Sequence, residues 1–468
     1  MVSDPIGSLI SDAKRAASMI KKAKDVLIVA HIDADGISSA AIASKTCERL
    51  GKKYDLLFAS KMDSDTIHTI NDSKADIVWI VDLGSGYLSD FKRDNVVVSD
   101  HHVPDPGWRR GQLCLDDFRI IEHVNCHTYR MDGSVEACGA TTTYLVSKAI
   151  DPSNIDLAYL GVIGACGDLQ DRTGSGLLGV NRVVLNDAVG NGDVAVEKDL
   201  RLFGRATRPL IQFVQYSNDP HLKGLTDDAH GCHAFFENLE IPLTENGRNR
   251  KWLDLSPEEK EKVRNALIPL VEEKDLGILI GEVYSLPKFP MTGGLRDAKE
   301  FATVLNSCGR YDDAPTGVRI CFGEKSAMAD AEKNRAEHRK NISSALQYVK
   351  HNNLIQKRRF IQYFDAKDTI RDTVVGIVAG MILSTDGFDN KMPIIAFAKA
   401  DDGIKVSARA DRSLGERGLD LSVVMNRAAE LVGGYGGGHN VAAGATIPEG
   451  EEDRFLDIVE DMVASQLI

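Results

Sequence analysis

Short, continuous apolar runs recur along the first 185 residues of the chain. DVLIVA, YDLLFAS, DIVWIVDL and NVVVSD are rich in valine and isoleucine, and most of their residues are apolar without strict alternation. Runs of this kind are typical of strands buried on both faces of a parallel sheet. Between them lie stretches with helical spacing, such as ISSAAIASKTCERLG, which has serines near its start and a glycine at its end. The alternation predicts a doubly wound α/β domain over residues 1–185.

The rest of the chain divides into further predicted regions. Residues 186–289 are more polar and include a helical pattern that begins at Ser256-Pro257, so we interpret them as an insertion. Residues 325–357 predict a long charged helix that connects two lobes. Residues 358–468 predict a smaller α/β domain, with a hairpin that turns at Asp402-Gly403 and then a helix, a glycine-rich loop and a strand.

Composition narrows the class of protein. A chain of 468 residues with 43% hydrophobic and 27% charged residues is expected to form two or three globular domains. It has no apolar run of the roughly 18 residues that a membrane span needs, and its first 25 residues predict an amphipathic helix rather than a signal peptide. Eight cysteines without a CxxC pair favour reduced thiols and a cytoplasmic location. The net charge of −13 argues against a general polyanion binder but not against a nucleic-acid enzyme that carries metal ions.

Acidic residues and histidines follow four of the apolar runs. In HIDADG the spacing i, i+2, i+4 would place three side chains on one side of an extended segment. Ligands bind outside the carboxyl ends of the strands in an open parallel sheet. We therefore expect four strand ends to direct one set of side chains into a single crevice: His31, Asp33, Asp35, Asp82, Asp100, His101, His102 and Asp168.

So many carboxylates would not ionise together without cations. Carboxylate and imidazole ligands suit Mn²⁺ or Mg²⁺, and two such ions about 3.5–4 Å apart are the usual device for in-line attack at phosphorus. A single aspartate after a strand is more often a helix cap or a turn residue, so it is the joint occurrence of four clusters that favours a metal site. A zinc site formed by His123, Cys126, His127 and Cys138 is the weaker interpretation, because their spacing fits no common zinc pattern.

Several of these segments resemble the motifs of one enzyme family. HIDADG, VDLGSG, SDHH and GACGDLQD resemble motifs one to four of the DHH phosphoesterase superfamily, and in particular those of RecJ-like single-strand exonucleases of the archaeal type that associates with the GINS replication complex. LNSCGR resembles the N-A-x-G-R element of RecJ nucleases. The S-x-R strand in SARADRS and the glycine-rich GGYGGGHNVAAGATIP resemble the DHH-associated C-terminal domain. The resemblance also implies that residues of about 290–324 complete the catalytic domain.

The resemblance implies a role for each matching residue. His31 and Asp33 would hold a first ion, Asp82 would bridge both ions, and Asp35, His101 and Asp168 would hold the second. Asp100 would orient the histidines, and His102 would contact the scissile phosphate or protonate the leaving oxygen. The implied substrate contacts are Asn306, Arg310, Ser407, Arg409, Gly436, Gly437, Gly438 and His439. The chain departs from bacterial RecJ proteins at His31, where they have aspartate, which puts the metal preference in question.

Glycine-rich GGYGGGH also suits phosphate on physical grounds, because its backbone N–H groups are unobstructed by side chains. Together the acid cluster and the resemblance predict a single-strand exonuclease with two Mn²⁺ or Mg²⁺ ions, which releases nucleoside 5′-monophosphates. The resemblance implies single-stranded DNA as the substrate, with RNA as a further one, and digestion in the 5′ to 3′ direction. Its implied partners are GINS and the replicative helicase, bound through the insertion. The alternatives are a 3′ to 5′ exonuclease, a nano-oligonucleotide phosphodiesterase, and a GINS-binding replication factor with a mainly structural role.

Overall fold

The computed structural model describes residues 4–107, 120–174, 176–217, 219–291, 293–383, 389–438 and 440–467. The chain forms two compact units, Met1–Asn334 and Arg335–Ile468. Within the described residues, none of the helices is both long enough and apolar enough to cross a membrane.

The first unit is built around a five-stranded sheet with the strand order β2-β1-β3-β4-β5, and all of its pairings are parallel. Each apolar run predicted as a strand forms one. The strands are β1 (Asp25–His31), β2 (Lys53–Ala59), β3 (Ile77–Val81), β4 (Val96–Ser99) and β5 (Ile121–Val124). The helices around and after them are α1 (Pro5–Lys22), α2 (Ala34–Arg49), α3 (Ser64–Asp72), α4 (Gly139–Ile150), α5 (Ala158–Gly167) and α6 (Gly179–Gly190).

Hydrophobic side chains cover both faces of this sheet. In β3, Trp79 and Val81 belong to the larger core, which includes α1, α2, α4 and α5, while Val78 and Ile80 belong to a second core with residues of α3. Successive side chains of a strand point to opposite faces, so a strand buried on both faces has no polar positions between its ends. The predicted doubly wound α/β architecture is confirmed.

The middle of the chain forms a substructure with its own apolar core. It contains β6 (Ala195–Leu200), α7 (Leu210–Gln215), α8 (Ala229–Asn238), β7 (Thr244–Glu245), β8 (Arg248–Asn249), α9 (Pro257–Leu267), α10 (Leu276–Leu279) and β9 (Ile280–Ser285). Strands β6 and β9 pair antiparallel and bring its two ends together. Its core includes Phe213, Phe236 and Trp252, which are fully buried. After β9, the chain returns to the main core through α11 (Ala298–Arg310) and α12 (Ala314–Cys321).

Glu300 is a buried acid on α11 that we expect to make folding dependent on pH. Its Oε1 accepts a hydrogen bond from the Ala206 N–H at 2.7 Å, but its buried Oε2 has no hydrogen-bond partner. Burial, with a further contribution from Asp297, raises the pKa of Glu300 to about 7. Because the folded-state pKa lies above that of the unfolded chain, folding favours the protonated acid. This stabilisation is complete below the unfolded pKa near 4.5 and is lost as the pH rises through about 7.

Glu300→Gln should therefore raise the free energy of unfolding of the first unit by roughly 3 kcal/mol at pH 8 and change it little at pH 4.5, since one pKa unit corresponds to about 1.36 kcal/mol. Urea unfolding of both proteins at the two pH values would measure the difference. Glu245→Gln is the matched control, because the Glu245 side chain is 64% exposed. An equal effect of Glu300→Gln at the two pH values would contradict the prediction.

The second unit contains a mixed six-stranded sheet with the order β10-β11-β12-β13-β15-β14. Its strands are β10 (Gln356–Lys357), β11 (Gln362–Asp365), β12 (Ile394–Ala400), β13 (Gly403–Arg409), β14 (Tyr435–Gly438) and β15 (Ala442–Ile447). Its helices are α14 (Asp372–Leu383), α15 (Arg412–Glu416), α16 (Leu421–Leu431) and α17 (Glu452–Leu467). Two apolar cores lie on opposite faces of the sheet. The predicted hairpin at Asp402-Gly403 is present as the antiparallel pair β12–β13.

Two predicted elements differ from the structure. The long charged helix is α13 (Lys325–His351), and it ends six residues before the predicted limit of 357. Asn353 has a left-handed φ of 49°, which breaks the helical path, and Gln356–Lys357 then pair as β10. The predicted glycine-rich loop includes an edge strand, because Tyr435–Gly438 pair antiparallel with β15 as β14. Glycine weakens a strand but permits close backbone approach, and a Cβ at Gly438 would lie 2.6 Å from the Ala443 Cα.

Candidate metal centre

The carboxyl ends of three neighbouring strands bring acids and histidines together. β1 ends at His31, Asp82 follows β3, and Asp100 follows β4. Asp33 is the N-cap of α2, where its Oδ1 accepts a hydrogen bond from the Gly36 N–H at 3.0 Å. Within the described part of the chain, three groups of side chains are close enough to hold a metal ion: His31, Asp33 and Asp82; Asp35, His101 and Asp168; and Asp82, Asp100, His101 and His102.

Asp82 lies between the first two groups of side chains. His31 Nδ1 lies 2.9 Å from Asp33 Oδ2 and 3.7 Å from Asp82 Oδ2. His101 Nε2 lies 3.3 Å from Asp82 Oδ1 and 3.3 Å from Asp168 Oδ2. The two oxygens of Asp82 therefore face different groups, which is the geometry that a bridging ligand requires.

Asp82 is the least satisfied polar side chain in this cluster. It is 1% exposed, and neither of its carboxylate oxygens has a hydrogen-bond partner. Buried polar atoms are normally paired, so a buried carboxylate whose two oxygens accept no hydrogen bond fits the role of a metal ligand. Its φ of 62° is unusual for a residue other than glycine, and such strain is concentrated at functional sites.

Asp35 is held by the backbone at the start of α4. Its Oδ2 accepts a hydrogen bond from the Gly139 N–H at 2.6 Å, and its Oδ1 accepts one from the Ala140 N–H at 2.9 Å. Helix α5 packs against the other side of this carboxylate at Gly164. A Cβ there would lie 2.2 Å from Asp35 Oδ1, so a glycine is needed at this position. The fully buried carboxylate is thus fixed in one orientation by N–H donors at a helix N-terminus.

Asp100 orients the two histidines that follow it. Its Oδ1 accepts hydrogen bonds from the His101 N–H at 2.7 Å and from His102 Nδ1 at 2.8 Å, and its Oδ2 accepts one from the Ser85 N–H at 2.9 Å. The hydrogen bond with Asp100 raises the pKa of His102 to about 9. His102 is 57% exposed, so it presents a protonated ring to solvent at neutral pH.

The electrostatics of the cluster favour a cation. Burial, with the carboxylate of Asp35 nearby, raises the pKa of Asp168 to about 8. Burial and Asp82 raise the pKa of Asp35 well above its ordinary range. Burial opposes protonation of His31, but the carboxylates of Asp33 and Asp82 outweigh it and raise its pKa to about 11. These shifts arise because negative charges are crowded together out of water. Divalent cations would neutralise them, and the carboxylate and imidazole donors fit Mn²⁺ or Mg²⁺.

One detail of the predicted site is wrong. Asp168 does not follow a strand, because the run of small residues before it forms helix α5 (Ala158–Gly167). Glycine and alanine let this helix approach its neighbours closely, and a Cβ at Gly161 would lie 2.8 Å from Val184 Cγ1. Asp168 still reaches the cluster, as the C-cap of the helix.

The LNSCGR segment lies in α11 and contacts the loop that carries the first ligands. Asn306 Oδ1 accepts a hydrogen bond from the Ala34 N–H at 2.8 Å. A Cβ at Gly309 would lie 1.7 Å from the Ile32 carbonyl oxygen, so only glycine fits. Arg310, the next residue, is exposed to solvent. Asn306 is thus engaged in supporting the loop, while Arg310 is accessible to a ligand.

The predicted substrate contacts of the second unit lie on neighbouring strands. Ser407 is opposite Gly444 in the β13–β15 pair, and Gly437 is opposite Gly444 on the other side of β15. Arg409 Nη1 donates to the Ala408 carbonyl at 2.8 Å, and burial lowers the pKa of its guanidinium. Gly436 and Gly438 flank Gly437 on the edge strand β14. His439 lies outside the described residues.

The alternative zinc site is not assembled in the described residues. None of the metal-capable groups includes its residues. His123 Nε2 instead contacts Ser85 Oγ at 2.9 Å, and the Cys138 thiol points to the Gly161 carbonyl at 3.8 Å.

Several residues that support the cluster were not identified from the sequence. Gly139, Ala140 and Ser85 contribute backbone N–H groups that bond to Asp35 or Asp100. Gly164 contributes by leaving room for Asp35. The small-residue pattern of EACGATTT, just before and within α4, was the available signal for Gly139 and Ala140.

Comparison with known proteins identifies two domain families. Residues 202–276 match the DHH-CID domain, and residues 357–465 match the DHHA1 domain. The uncharacterized protein MJ0831 of Methanocaldococcus jannaschii is 28% identical over 452 residues, which cover 94% of each chain.

Two solved structures share the fold over almost the entire chain. RecJ of Thermus thermophilus in complex with Mn²⁺ matches with a TM-score of 0.57 and 16% identity over 98% of this chain. It has also been solved with Mg²⁺. The match covers 55% of the RecJ chain, so this chain spans about half of that protein's length. CDC45 of Entamoeba histolytica matches with a TM-score of 0.61 and 11% identity over 98% of both chains.

Proposed function

We propose that this chain, a RecJ-like protein of the DHH superfamily, is a two-metal exonuclease specific for single-stranded nucleic acid. The observation that carries the proposal is the Asp82 carboxylate, whose two buried oxygens accept no hydrogen bond and face two separate ligand groups. Neither group is neutralised by a lysine or arginine among the ion pairs of the described residues. A phosphodiester is a substrate that two closely spaced ions are suited to bind.

Each residue of the cluster then has a distinct task. His31 and Asp33 would hold one ion, Asp35, His101 and Asp168 would hold the other, and Asp82 would contact both. Divalent ions bound there would polarise the phosphoryl oxygen and increase the acidity of a water molecule.

His102 is the proton carrier in this proposal. Asp100 beside Nδ1 raises the pKa of its exposed ring and so favours the protonated form, which can neutralise a phosphate oxygen or protonate the leaving oxygen. Arg310, exposed beside the first ligands, is proposed to bind a neighbouring phosphate with its planar fork of donors.

The second unit is proposed to bind the substrate through Ser407, Arg409, the glycines of β14 and His439. Arg409 is partly buried, and its Nη1 is engaged with carbonyls rather than with a carboxylate. A desolvated cation of this kind is suited to an anionic ligand. We propose single-stranded DNA as the substrate, with RNA as a further one, and 5′ to 3′ as the direction.

The location and partners follow the same reasoning. We propose that the protein acts in the cytoplasm, in DNA replication and repair. The insertion, which has its own core and matches the DHH-CID domain, is proposed to bind GINS and the replicative helicase. The likeness to CDC45 supports a second candidate, a replication factor with a mainly structural role. The complete set of metal-capable side chains favours the enzyme.

A single-stranded DNA oligonucleotide labelled separately at each end would test the proposal. With Mn²⁺, we expect immediate release of mononucleotides from the 5′ label and none with EDTA, because the acid cluster needs cations. A duplex of the same sequence is the control and should resist cleavage. Release from the 3′ label first would reverse the assigned direction, and preference for dinucleotides would indicate a nano-oligonucleotide phosphodiesterase. If the protein binds Mn²⁺ but cleaves no substrate of any length, the structural role is correct.

A further inference from the structure

A buried carbonyl connects one proposed metal ligand to a side chain outside the predicted site. His101 Nδ1 lies 2.6 Å from the Gly133 carbonyl oxygen, and Gln170 Nε2 donates to the same oxygen at 3.0 Å. A carbonyl accepts but cannot donate, so His101 Nδ1 carries the hydrogen. His101 Nε2 is then the nitrogen available to a metal, and it faces Asp82 and Asp168.

Gln170 has little freedom to move. It is 2% exposed, and its Nε2 also donates to the Ala137 carbonyl at 3.0 Å. Its Oε1 accepts a hydrogen bond from Asn181 Nδ2 at 2.5 Å. Asn181 is held in turn by Thr141, whose hydroxyl donates to Asn181 Oδ1 at 2.9 Å. Both donors of the Gln170 amide are therefore used, and the side chain spans the loop from residue 133 to residue 137.

This loop leads directly to the donors that hold Asp35. Two and three residues after Ala137, the N–H groups of Gly139 and Ala140 bond to the Asp35 carboxylate. Gln170 is also two residues from Asp168 in the chain. The Gln170 amide thus bonds the carbonyl that orients His101 and the loop that precedes the donors of Asp35, and it lies two residues from Asp168 in the chain. No hydrogen bond of Gln170 among the described residues reaches the group formed by His31, Asp33 and Asp82.

We propose that Gln170 is a positioning residue that sets the affinity of one of the two metal sites, the one formed by Asp35, His101 and Asp168. The inference rests on the proposed metal centre and adds to it a residue that acts through hydrogen bonds to backbone carbonyls. Residues that orient metal ligands in this way commonly change metal affinity by 10–100-fold.

The test is Gln170→Met, which keeps the length of the side chain and removes the amide. Free Mn²⁺ is measured by electron paramagnetic resonance during titration of the full-length protein. We expect two sites in the parent protein and, in the variant, one unchanged site and one weakened at least tenfold. Cleavage should need a correspondingly higher Mn²⁺ concentration and recover at saturating Mn²⁺, which a general loss of structure would not permit. Gln170→Asn, whose shorter side chain cannot span the loop, should behave in the same way and replaces Gln170→Met if that variant does not fold.

Gln362→Met is the matched control. Gln362 is also a fully buried glutamine whose Nε2 donates to two carbonyls, those of Asp389 and Met392, but it lies in the second unit. The Gln362→Met variant should be less stable than the parent protein but should bind Mn²⁺ with unchanged affinity. Equal weakening of both Mn²⁺ sites by the Gln170 variants, unchanged binding, or the same weakening in Gln362→Met would overturn the assignment of Gln170. A parent protein that binds no Mn²⁺ would instead overturn the proposed metal centre itself.

Discussion

Asp82→Asn should reduce the rate of phosphodiester cleavage by at least about a thousandfold, a loss of roughly 4 kcal/mol in transition-state stabilisation. The amide has one oxygen where the carboxylate has two, and its nitrogen cannot bind a metal. Asp82 is the residue whose oxygens face both ligand groups, so its replacement should weaken both ions. Single-turnover cleavage of an end-labelled single strand at saturating Mn²⁺ would measure the loss.

The same substitution should have little effect on the stability of the metal-free protein. Asp82 is close to several other carboxylates and raises the pKa of Asp35. Removing its charge relieves that repulsion but also removes the attraction to His31, whose pKa Asp82 helps to raise. The melting temperature in EDTA should therefore change little, while the stabilisation by added Mn²⁺ should shrink. Asp55→Asn, at an exposed position in β2, is the control and should change neither quantity. Retention of more than a tenth of the activity would rule out Asp82 as a shared ligand.

The pattern of apolar runs was sufficient to predict β1 to β4 of the first sheet, but it did not predict β5. Strands such as β3 are buried on both faces, and their sequence shows this as an unbroken series of Val, Ile and Trp. His31, Asp82 and Asp100 each follow an apolar run in the sequence. They were predicted to lie together because parallel strands present their carboxyl ends at one edge of the sheet. The sequence could not show that Asp168 is the cap of a helix, because GVIGACG is too short and too apolar to distinguish a buried helix from a buried strand.

Long-range contacts explain what else could not be predicted. The GGG segment is typical of a loop by its local preferences, and it forms β14 because the neighbouring strand β15 offers it a partner. The domain boundaries at 185, 289 and 324 remain predictions. The supporting groups of the metal cluster, such as the Gly139 N–H and the Gly133 carbonyl, belong to the backbone, and their role depends on where the loop is placed in space rather than on residue type.

Gly139 provides the clearest test of how closely α4 packs against Asp82. A Cβ at this position would lie 2.3 Å from Asp82 Cβ and 2.7 Å from Asp82 Cα. Contacts this short with backbone cannot be relieved by a change of rotamer. Because the Gly139 N–H also holds Asp35, Gly139→Ala should push Asp82 and Asp35 apart and disturb both ligand groups. We expect activity to fall by at least about a hundredfold, with a loss of stability of about 1–3 kcal/mol, the usual cost of overpacking.

Helix propensity alone would predict that Gly139→Ala stabilises the protein, whereas the close contact with Asp82 predicts a loss of stability. Gly139 is the first residue of α4, where alanine favours the helix by up to about 1 kcal/mol over glycine. Gly190→Ala is the matched control, since Gly190 ends α6 and a Cβ there would meet no atom within 4 Å. Cleavage assays, Mn²⁺ titration and urea unfolding of both variants would separate the two contributions. If Gly139→Ala were as active and as stable as Gly190→Ala, α4 would not pack against Asp82 as described. The two ligand groups would then function at a larger separation than a single bridging carboxylate permits.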